Sequence, residues 1–254
     1  MTTWHFETEV SEVIPRTASI RSFRFPIRAK GFRYRPGQFF FITIMVEGQE
    51  ADHHFSFSSS PTEKGYLEFT KRITGSAFSQ TLAKLTPGVW ARIRGPMGDF
   101  VLPRRPQKIS FISGGIGITP LRSMMRYAVD KKLPYDMVLL YGNPVPGEIA
   151  FRSELDSFPG CSGPRIRIEN VLSGPGLPPD WTGRTGFVNS QVVTETMPDY
   201  AERLHFISGP PKMVTSLKEQ LETLSVPAKQ ILIDSFTGYD REGFSLNQVE
   251  SHSE

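Results

Sequence analysis

A glycine-rich segment at residues 113–120 has the residue types and spacing of an anion-binding turn. The apolar run at 108–112 predicts a buried strand before it, and the apolar spacing over 121–129 predicts a helix after it. Such a turn points backbone N–H groups and the positive end of a helix at a ligand, most simply a pyrophosphate. The glycines that would let the ligand approach are Gly114, Gly115 and Gly117. A turn needed only for tight packing is the alternative, because one glycine cluster is a weak signal.

A second stretch combines cations with the start of a helix. Lys71 and Arg72 end a predicted strand, and residues 75–79 place a hydroxyl at the cap of a helix predicted over 78–85. Cations before a helix N-terminus favour a phosphate group. The alternative is a capped helix beside a charged strand that faces solvent.

The sequence His53-His54-Phe55-Ser56 offers two imidazoles, an aromatic ring and a hydroxyl. Adjacent side chains on a strand point to opposite faces, and no further ligands have convincing spacing, so we predict no metal site. A hydroxyl beside a ring could instead bond to a heterocycle while the ring packs on it.

The elements that position these residues change character at a linker over 103–107. Before it, six short strands separated by Pro and Gly clusters predict an antiparallel β-barrel, with strands at 5–13, 19–25, 39–44, 55–57, 66–70 and 90–94. After it, strands alternate with helices, which predicts a doubly wound α/β domain with a parallel sheet. Three turns would meet at the carboxyl ends of its strands, at 113–120, 142–143 and 208–211.

Composition restricts the function classes. The chain has 254 residues, 38% of them hydrophobic and 22% charged, as in an ordinary globular protein with an ample core. The net charge of +3 comes without a dense Lys/Arg run, so nucleic-acid binding is not supported. The single cysteine, Cys161, excludes an internal disulfide and a four-cysteine iron–sulfur site. No signal peptide or membrane-spanning run is visible, so we expect a cytoplasmic protein.

The order and spacing of these motifs resemble the ferredoxin–NADP reductase superfamily over about residues 4–240. That family joins an antiparallel flavin-binding barrel to a dinucleotide-binding α/β domain. The resemblance therefore implies a six-stranded FAD-binding barrel at 1–103, a doubly wound NAD(P)-binding domain at 104–240 and a polar tail at 241–254.

The resemblance also implies flavin-binding residues. Residues 53–56 match the family's Arg-x-Tyr-Ser, with His53 at the position of a phosphate-binding arginine, and with Phe55 packing on the flavin ring. Ser56 stands for the hydroxyl near flavin N5, and residues 76–79 match the turn that holds the FAD pyrophosphate, which favours FAD over FMN. The implied flavin-binding residues are His53, His54, Phe55, Ser56, Phe69, Thr70, Lys71, Ser76, Ala77, Phe78, Ser79 and Phe236.

A matching set is implied for the nicotinamide nucleotide. Ser208 replaces the family's cysteine beside the nicotinamide, Asp234 replaces a glutamate, and Phe236 could lie against the flavin. A 2′-phosphate would need a cation near Ser173, for which Arg184 is the nearest candidate, so NAD and NADP stay open. The implied nucleotide-binding residues are Gly114, Gly115, Gly117, Thr119, Pro120, Gly142, Asn143, Gly209, Pro210 and Met213.

The function implied is a flavoprotein oxidoreductase that transfers hydride from NADPH or NADH to FAD. Electrons then pass to a separate small carrier protein, such as an acidic ferredoxin or flavodoxin, which the mild positive charge suits. The catalytic candidates are Ser56, Ser208 and Phe236. Two alternatives remain: a reductase of free flavin or ferric chelates, and a nucleotide-binding subunit or sensor without turnover, which the departures at His53 and Ser208 keep open.

Overall fold

The computed structural model describes residues 2–105, 107–175 and 177–236. Its first part is antiparallel and forms two sheets, in the orders β1-β7-β4-β5 and β2-β3-β6. The elements of this part are β1 (Trp4–Glu9), β2 (Glu12–Pro15), β3 (Ile20–Pro26), β4 (Phe39–Val46), β5 (Gln49–Ser56), β6 (Tyr66–Arg72), α1 (Ala77–Ala83) and β7 (Trp90–Met97).

Alternation along these strands builds a core rich in phenylalanine. On β4, Phe40, Ile42 and Ile44 are buried at every second position, and they pack with phenylalanines from the other strands. A tight turn joins β4 to β5, with positive φ at Glu47 (51°) and Gly48 (83°). Two positive φ values match the right-handed twist of a two-residue hairpin, so this turn fixes the register of the motif at 53–56.

The antiparallel part differs from the predicted six strands in two respects. The strand predicted at 55–57 is the longer β5, which begins at Gln49 and ends at Ser56. The strand predicted at 5–13 is divided between β1, which pairs with β7, and β2, which pairs with β3. The chain crosses between the sheets at Val10, whose N–H bonds to Val89, and Ser11, whose N–H bonds to Arg24. Alternation alone cannot reveal this crossing, because the apolar pattern continues through it.

The second part is a six-stranded parallel sheet in the order β11-β10-β9-β8-β12-β13. Its strands are β8 (Lys108–Gly114), β9 (Asp136–Asn143), β10 (Arg165–Leu172), β11 (Arg184–Thr185), β12 (Leu204–Gly209) and β13 (Ile231–Ser235). Its helices are α2 (Ile118–Asp130), α3 (Arg152–Ser157), α4 (Ser190–Thr196) and α5 (Pro211–Thr223). The predicted fold class, an antiparallel unit followed by a doubly wound parallel unit, is confirmed.

Helices cover both faces of the parallel sheet. The buried residues of α2 and α3 join one apolar cluster, and those of α4 and α5 join another on the opposite face. Strand β8 lies between β9 and β12, so the chain proceeds outward from it in both directions. That reversal of strand order creates a crevice at the carboxyl ends of the strands, where doubly wound folds bind ligands.

A buried arginine on α2 joins the two units. Arg122, whose side chain is 6% exposed, forms ion pairs with Glu63 of the antiparallel part and Glu154 of α3. It also donates a hydrogen bond of 2.9 Å to the carbonyl of Ser58. A buried charge requires such partners, so this cluster fixes how α2 lies against the 58–63 segment.

Among the residues that the structure describes, no helix has both the length and the apolar character needed to cross a bilayer. The division into units at 103/104 stays a prediction, and the predicted tail at 241–254 lies outside the described residues.

Candidate functional site

A cavity of about 870 Å³ lies between the two units, at the carboxyl ends of the parallel strands. It is within the size range of sites that enclose a cofactor. The predicted residues that line it are His54, Phe55, Ser56, Thr70, Lys71, Gly114, Gly115, Thr119, Gly142, Asn143, Pro210, Met213 and Phe236. Segments far apart in the chain therefore meet at one site, as the motif order predicts.

The glycine turn forms the floor of this cavity. After β8, residues Gly115–Gly117 make one turn of 3-10 helix and lead into α2, whose N-cap is Gly117. A glycine cap offers no side-chain acceptor, so the N–H groups of the first turn can serve an anionic ligand. Gly115 has φ of +51°, and it is the turn glycine whose added Cβ would meet no atom closer than 3.9 Å.

Two glycines of the turn serve packing instead. A Cβ on Gly117 would lie 2.2 Å from the carbonyl oxygen of Ser208, and one on Gly114 would lie 2.4 Å from Met213 Sδ. Gly114 lines the cavity, whereas Gly117 does not. The prediction that all three glycines serve ligand approach therefore needs correction: Gly117 lets α2 pack on β12, and Gly115 faces the cavity.

A hydroxyl and a carboxylate meet across the two units. Ser56 Oγ, at the end of β5, lies 3.4 Å from Asp234 Oδ2 on β13. Burial raises the pKa of Asp234 to about 6, and the hydrogen bond from Ser56 acts in the opposite direction. Phe236 follows, and its N–H bonds to the carbonyl of Gly209 at 3.0 Å, which brings the ring to the cavity wall.

The aromatic residues of β5 and β6 face the core more than the cavity. Phe55 stacks on Phe69 at 4.3 Å between ring centroids, and Phe69 is fully buried. His53 stacks on Phe78 at 3.8 Å. Burial, together with the charge of Lys71, lowers the pKa of His53 to about 4, so its ring is neutral at pH 7.

Two of the predicted contacts are not found in the cavity lining. His53 stacks on Phe78 and Phe69 is fully buried, and neither is among the residues that line the cavity. A neutral ring cannot supply the charge that the family's arginine gives a phosphate. The cations that do line the cavity are Lys71, Arg72 and Lys212.

The predicted pyrophosphate turn at 76–79 is not part of the cavity lining. Ser76 caps α1 by accepting a hydrogen bond from the Ser79 N–H at 3.3 Å, and Phe78 and Ser79 are buried. The residues at 76–79 do not line the cavity, whereas Thr74 does. The capping prediction holds, and Thr74, which sequence reasoning missed, lines the cavity.

Ser208 lies beneath the glycine turn, outside the cavity lining. It pairs with Ser113 across β12 and β8, and both side chains are fully buried. Among the described residues, neither hydroxyl has a hydrogen-bond partner. Buried hydroxyls without partners are costly, and they concentrate at functional sites. Pro120 and Gly209 likewise support the turn without lining the cavity.

Arg72, which the sequence predicts as part of a candidate phosphate site, also lines the cavity. Sequence reasoning missed the other lining residues, which are Thr74, Ile116, Pro144, Ser173, Gly186, Phe187, Val188, Asn189, Lys212, Ser216, Leu217 and Gln220. Three polar residues of α5, Lys212, Ser216 and Gln220, are spaced i, i+4, i+8, which was the available signal. Arg184, the candidate for a 2′-phosphate, is instead paired with Glu195 at 2.6 Å.

The charges of the lining fit phosphate-bearing ligands. Three cations line the cavity, and no carboxylate is present among the described residues of its lining. Hydroxyl and amide groups from both units accompany the cations, and the unpartnered hydroxyls lie directly beneath the turn. This donor set suits two pyrophosphates and a planar ring between apolar side chains.

Comparisons with known proteins agree with this geometry. The model of an oxidoreductase FAD-binding domain matches residues 6–102, and that of an oxidoreductase NAD-binding domain matches 111–219. Ferredoxin–NADP reductase B of Sorangium cellulosum is 30% identical over 241 residues, which cover 91% of this chain and 97% of that protein.

Other relatives share these domains in a different context. The glycine betaine monooxygenase reductase subunit of Pseudomonas aeruginosa is 31% identical over 223 residues, or 83% of this chain, and the match spans 58% of that protein's length. The solved structure of Amycolatopsis cytochrome P450 reductase GcoB has a TM-score of 0.79 at 22% identity, and it covers 92% of this chain and 70% of that one, which shows the shared fold.

The two matched domains follow one another in the chain, and residues from both of them line the cavity. FAD and a nicotinamide nucleotide are the cofactors of such domains. The chain therefore belongs to the ferredoxin–NADP reductase superfamily of FAD-dependent NAD(P)H oxidoreductases.

Proposed function

We propose that this protein oxidises NADH or NADPH with a bound FAD and passes the electrons to a separate acceptor. The observation that carries the proposal is the meeting, in one cavity, of the Gly115 turn with Phe236 and with Ser56, whose hydroxyl contacts Asp234 behind the cavity lining. When bound, FAD would accept a hydride from the nicotinamide and release its electrons to the acceptor.

The residues of the chain would hold the two nucleotides close together. Thr70, Lys71 and Thr74 line the antiparallel side of the cavity and would hold the FAD phosphates. The Gly115 turn and the N-terminus of α2 would hold the pyrophosphate of the nicotinamide nucleotide. Phe55 and Phe236 supply apolar surface for the flavin ring and exclude water from it.

The Ser56–Asp234 pair is suited to hold a proton at the site. With a pKa of about 6, Asp234 changes its protonation state close to physiological pH. Ser56 Oγ can donate to the carboxylate, or accept from the carboxyl and donate toward the cavity. We therefore assign Ser56 and Asp234 the role of holding and moving a proton beside the flavin.

An absorbance spectrum of the purified protein tests this proposal. We expect flavin bands that bleach on anaerobic addition of NADH or NADPH, and the faster nucleotide identifies the donor. Flavin extracted from the protein should be FAD. A protein that stays colourless after reconstitution with FAD would favour the nucleotide-binding subunit or sensor.

We propose a small electron-carrier protein as the acceptor. The support is that the Sorangium relative is a ferredoxin–NADP reductase, together with the net charge of +3. The names of the other relatives specify a monooxygenase and a cytochrome P450. Turnover with ferredoxin, flavodoxin, free flavin and ferric chelate separates a protein-linked reductase from a free flavin or ferric reductase. The cytoplasmic location stays a prediction.

A further inference from the structure

One arginine at the cavity joins the two units on the side of the glycine turn. Arg72 ends β6, lines the cavity and is 34% exposed. Its Nη1 contacts Glu148 Oε2 at 2.5 Å and Ser19 Oγ at 2.5 Å. Glu148 belongs to the parallel-sheet unit, so this contact crosses the boundary between the two units, which we call the seam, beside the cavity.

The two partners of Arg72, Ser19 and Glu148, also form a hydrogen bond with each other. Ser19 Oγ donates to Glu148 Oε2 at 2.8 Å, and the Glu148 side chain is 18% exposed. Burial acts to raise the pKa of Glu148, but the hydrogen bonds from Ser19 and Arg72 and the charge of Arg72 lower it below the usual range. Glu148 is therefore ionised at neutral pH and holds one edge of the guanidinium.

The other edge of the guanidinium faces the glycine turn. A Cβ placed on Gly115 would lie 3.9 Å from Arg72 Nη2, which is nearer than any other atom outside the turn. The contacts of Arg72 to Ser19 and Glu148 both use Nη1, and Nη2 lies on the side of Gly115. A planar guanidinium fixed at one edge presents its remaining donors in a defined direction.

The geometry points to Glu148 as a positioning residue for the nicotinamide nucleotide. It acts through Arg72, because with Ser19 it holds the guanidinium so that Nη2 meets the pyrophosphate bound on the Gly115 turn. This inference rests on the proposed function. It adds a cross-unit residue that does not line the cavity but sets the affinity for the nucleotide.

Calorimetric titration of the FAD-loaded protein with NAD⁺ and NADP⁺ tests the inference without turnover. Glu148→Ala should raise the Kd of the preferred nucleotide about tenfold, since a freed guanidinium must be ordered on binding. Glu148→Gln keeps an acceptor oxygen for Arg72 and should stay within about twofold of wild type. In turnover, KM for the nucleotide should rise in Glu148→Ala while kcat is retained.

A double-mutant cycle distinguishes a Glu148 that positions Arg72 from a Glu148 whose charge acts directly on the nucleotide. Arg72→Ala should weaken binding by about 10- to 100-fold, and adding Glu148→Ala to it should change nothing further, because Glu148 acts only through Arg72. The matched control is Glu50→Ala, which removes a carboxylate paired with Arg92 on the outer face of the first sheet. It changes net charge equally and should leave the Kd unchanged.

The outcomes are distinct. Unchanged or tighter binding in Glu148→Ala, or an additive double mutant, would overturn the positioning role while leaving the proposed function intact. A wild-type protein that binds neither nucleotide would overturn both. If Glu148→Ala does not fold, as judged from its melting curve, Ser19→Ala takes its place, and a Kd equal to wild type would then overturn the inference.

Discussion

The substitution Gly117→Ala should lower the stability of the protein more than its affinity for the nucleotide. The added Cβ would lie 2.2 Å from the Ser208 carbonyl oxygen and 2.5 Å from its carbon, both of them backbone atoms. Ordinary contact begins near 3.4 Å, so α2 must move from β12 by about 1 Å. Overpacking of this kind costs about 3 kcal/mol, at the upper end of the usual range, because no flexible side chain can give way.

Alanine at Gly115 provides the matched comparison. Its φ of +51° costs an L-residue about 1 kcal/mol, and its Cβ would meet no atom within 3.9 Å. The methyl group would instead stand where an anion approaches the turn, so nucleotide affinity should fall at least about tenfold. Gly75→Ala is the control, because nothing lies within 4 Å of its added Cβ and its φ is not positive.

Thermal melting and nucleotide titration together give the test. Gly117→Ala should lower the melting temperature by about 6–12 °C, and Gly115→Ala by about 2–4 °C. Gly115→Ala should lose more nucleotide affinity than Gly117→Ala does. The control variant should match wild type in both assays. The reasoning fails if Gly117→Ala melts like wild type, or if Gly115→Ala binds the nucleotide normally.

Three further predictions concern the seam between the units. Ser56→Ala should retain flavin but slow its reduction by NAD(P)H about 10- to 100-fold in stopped flow, and an unchanged rate removes Ser56 from the mechanism. The folded pKa of Asp234, about 6, exceeds the unfolded value, so wild type loses stability as pH rises through about 4 to 6. Asp234→Asn should therefore melt above wild type at pH 8 and level with it near pH 4, whereas a constant difference would contradict the raised pKa. Arg122→Ala leaves Glu63 and Glu154 without their partner and should cost about 3–5 kcal/mol, with separate melting of the two units in calorimetry; one unshifted transition would argue against this role.

Much of the fold could be predicted from the sequence, because its signals are local. The strand at 108–112, the glycine turn and the amphipathic pattern of α5 each lie within a few residues, and each is found where predicted. The prediction of one continuous strand at 5–13 was wrong. The chain divides at Val10 and Ser11 because these residues bond to partners more than 10 residues away in the sequence.

The candidate site was predicted less completely for the same reason. Ser56 meets Asp234 across 178 positions, and Arg72 meets Glu148 across 76. No local pattern encodes such distances. The i, i+4 spacing on α5 signals a polar face, but only the fold shows that this face is a wall of the cavity.

The sequence by itself determined the fold class and the order of motifs, because backbone turns and apolar periodicity are short-range properties. The resemblance of that order to a known family then implied the two cofactors. Tertiary structure alone decided which glycine packs and which faces the ligand, that His53 is neutral, and that Arg72 is held by a carboxylate from the other unit. Those outcomes depend on burial and on charges brought together across the seam, and both exist only once the chain is folded.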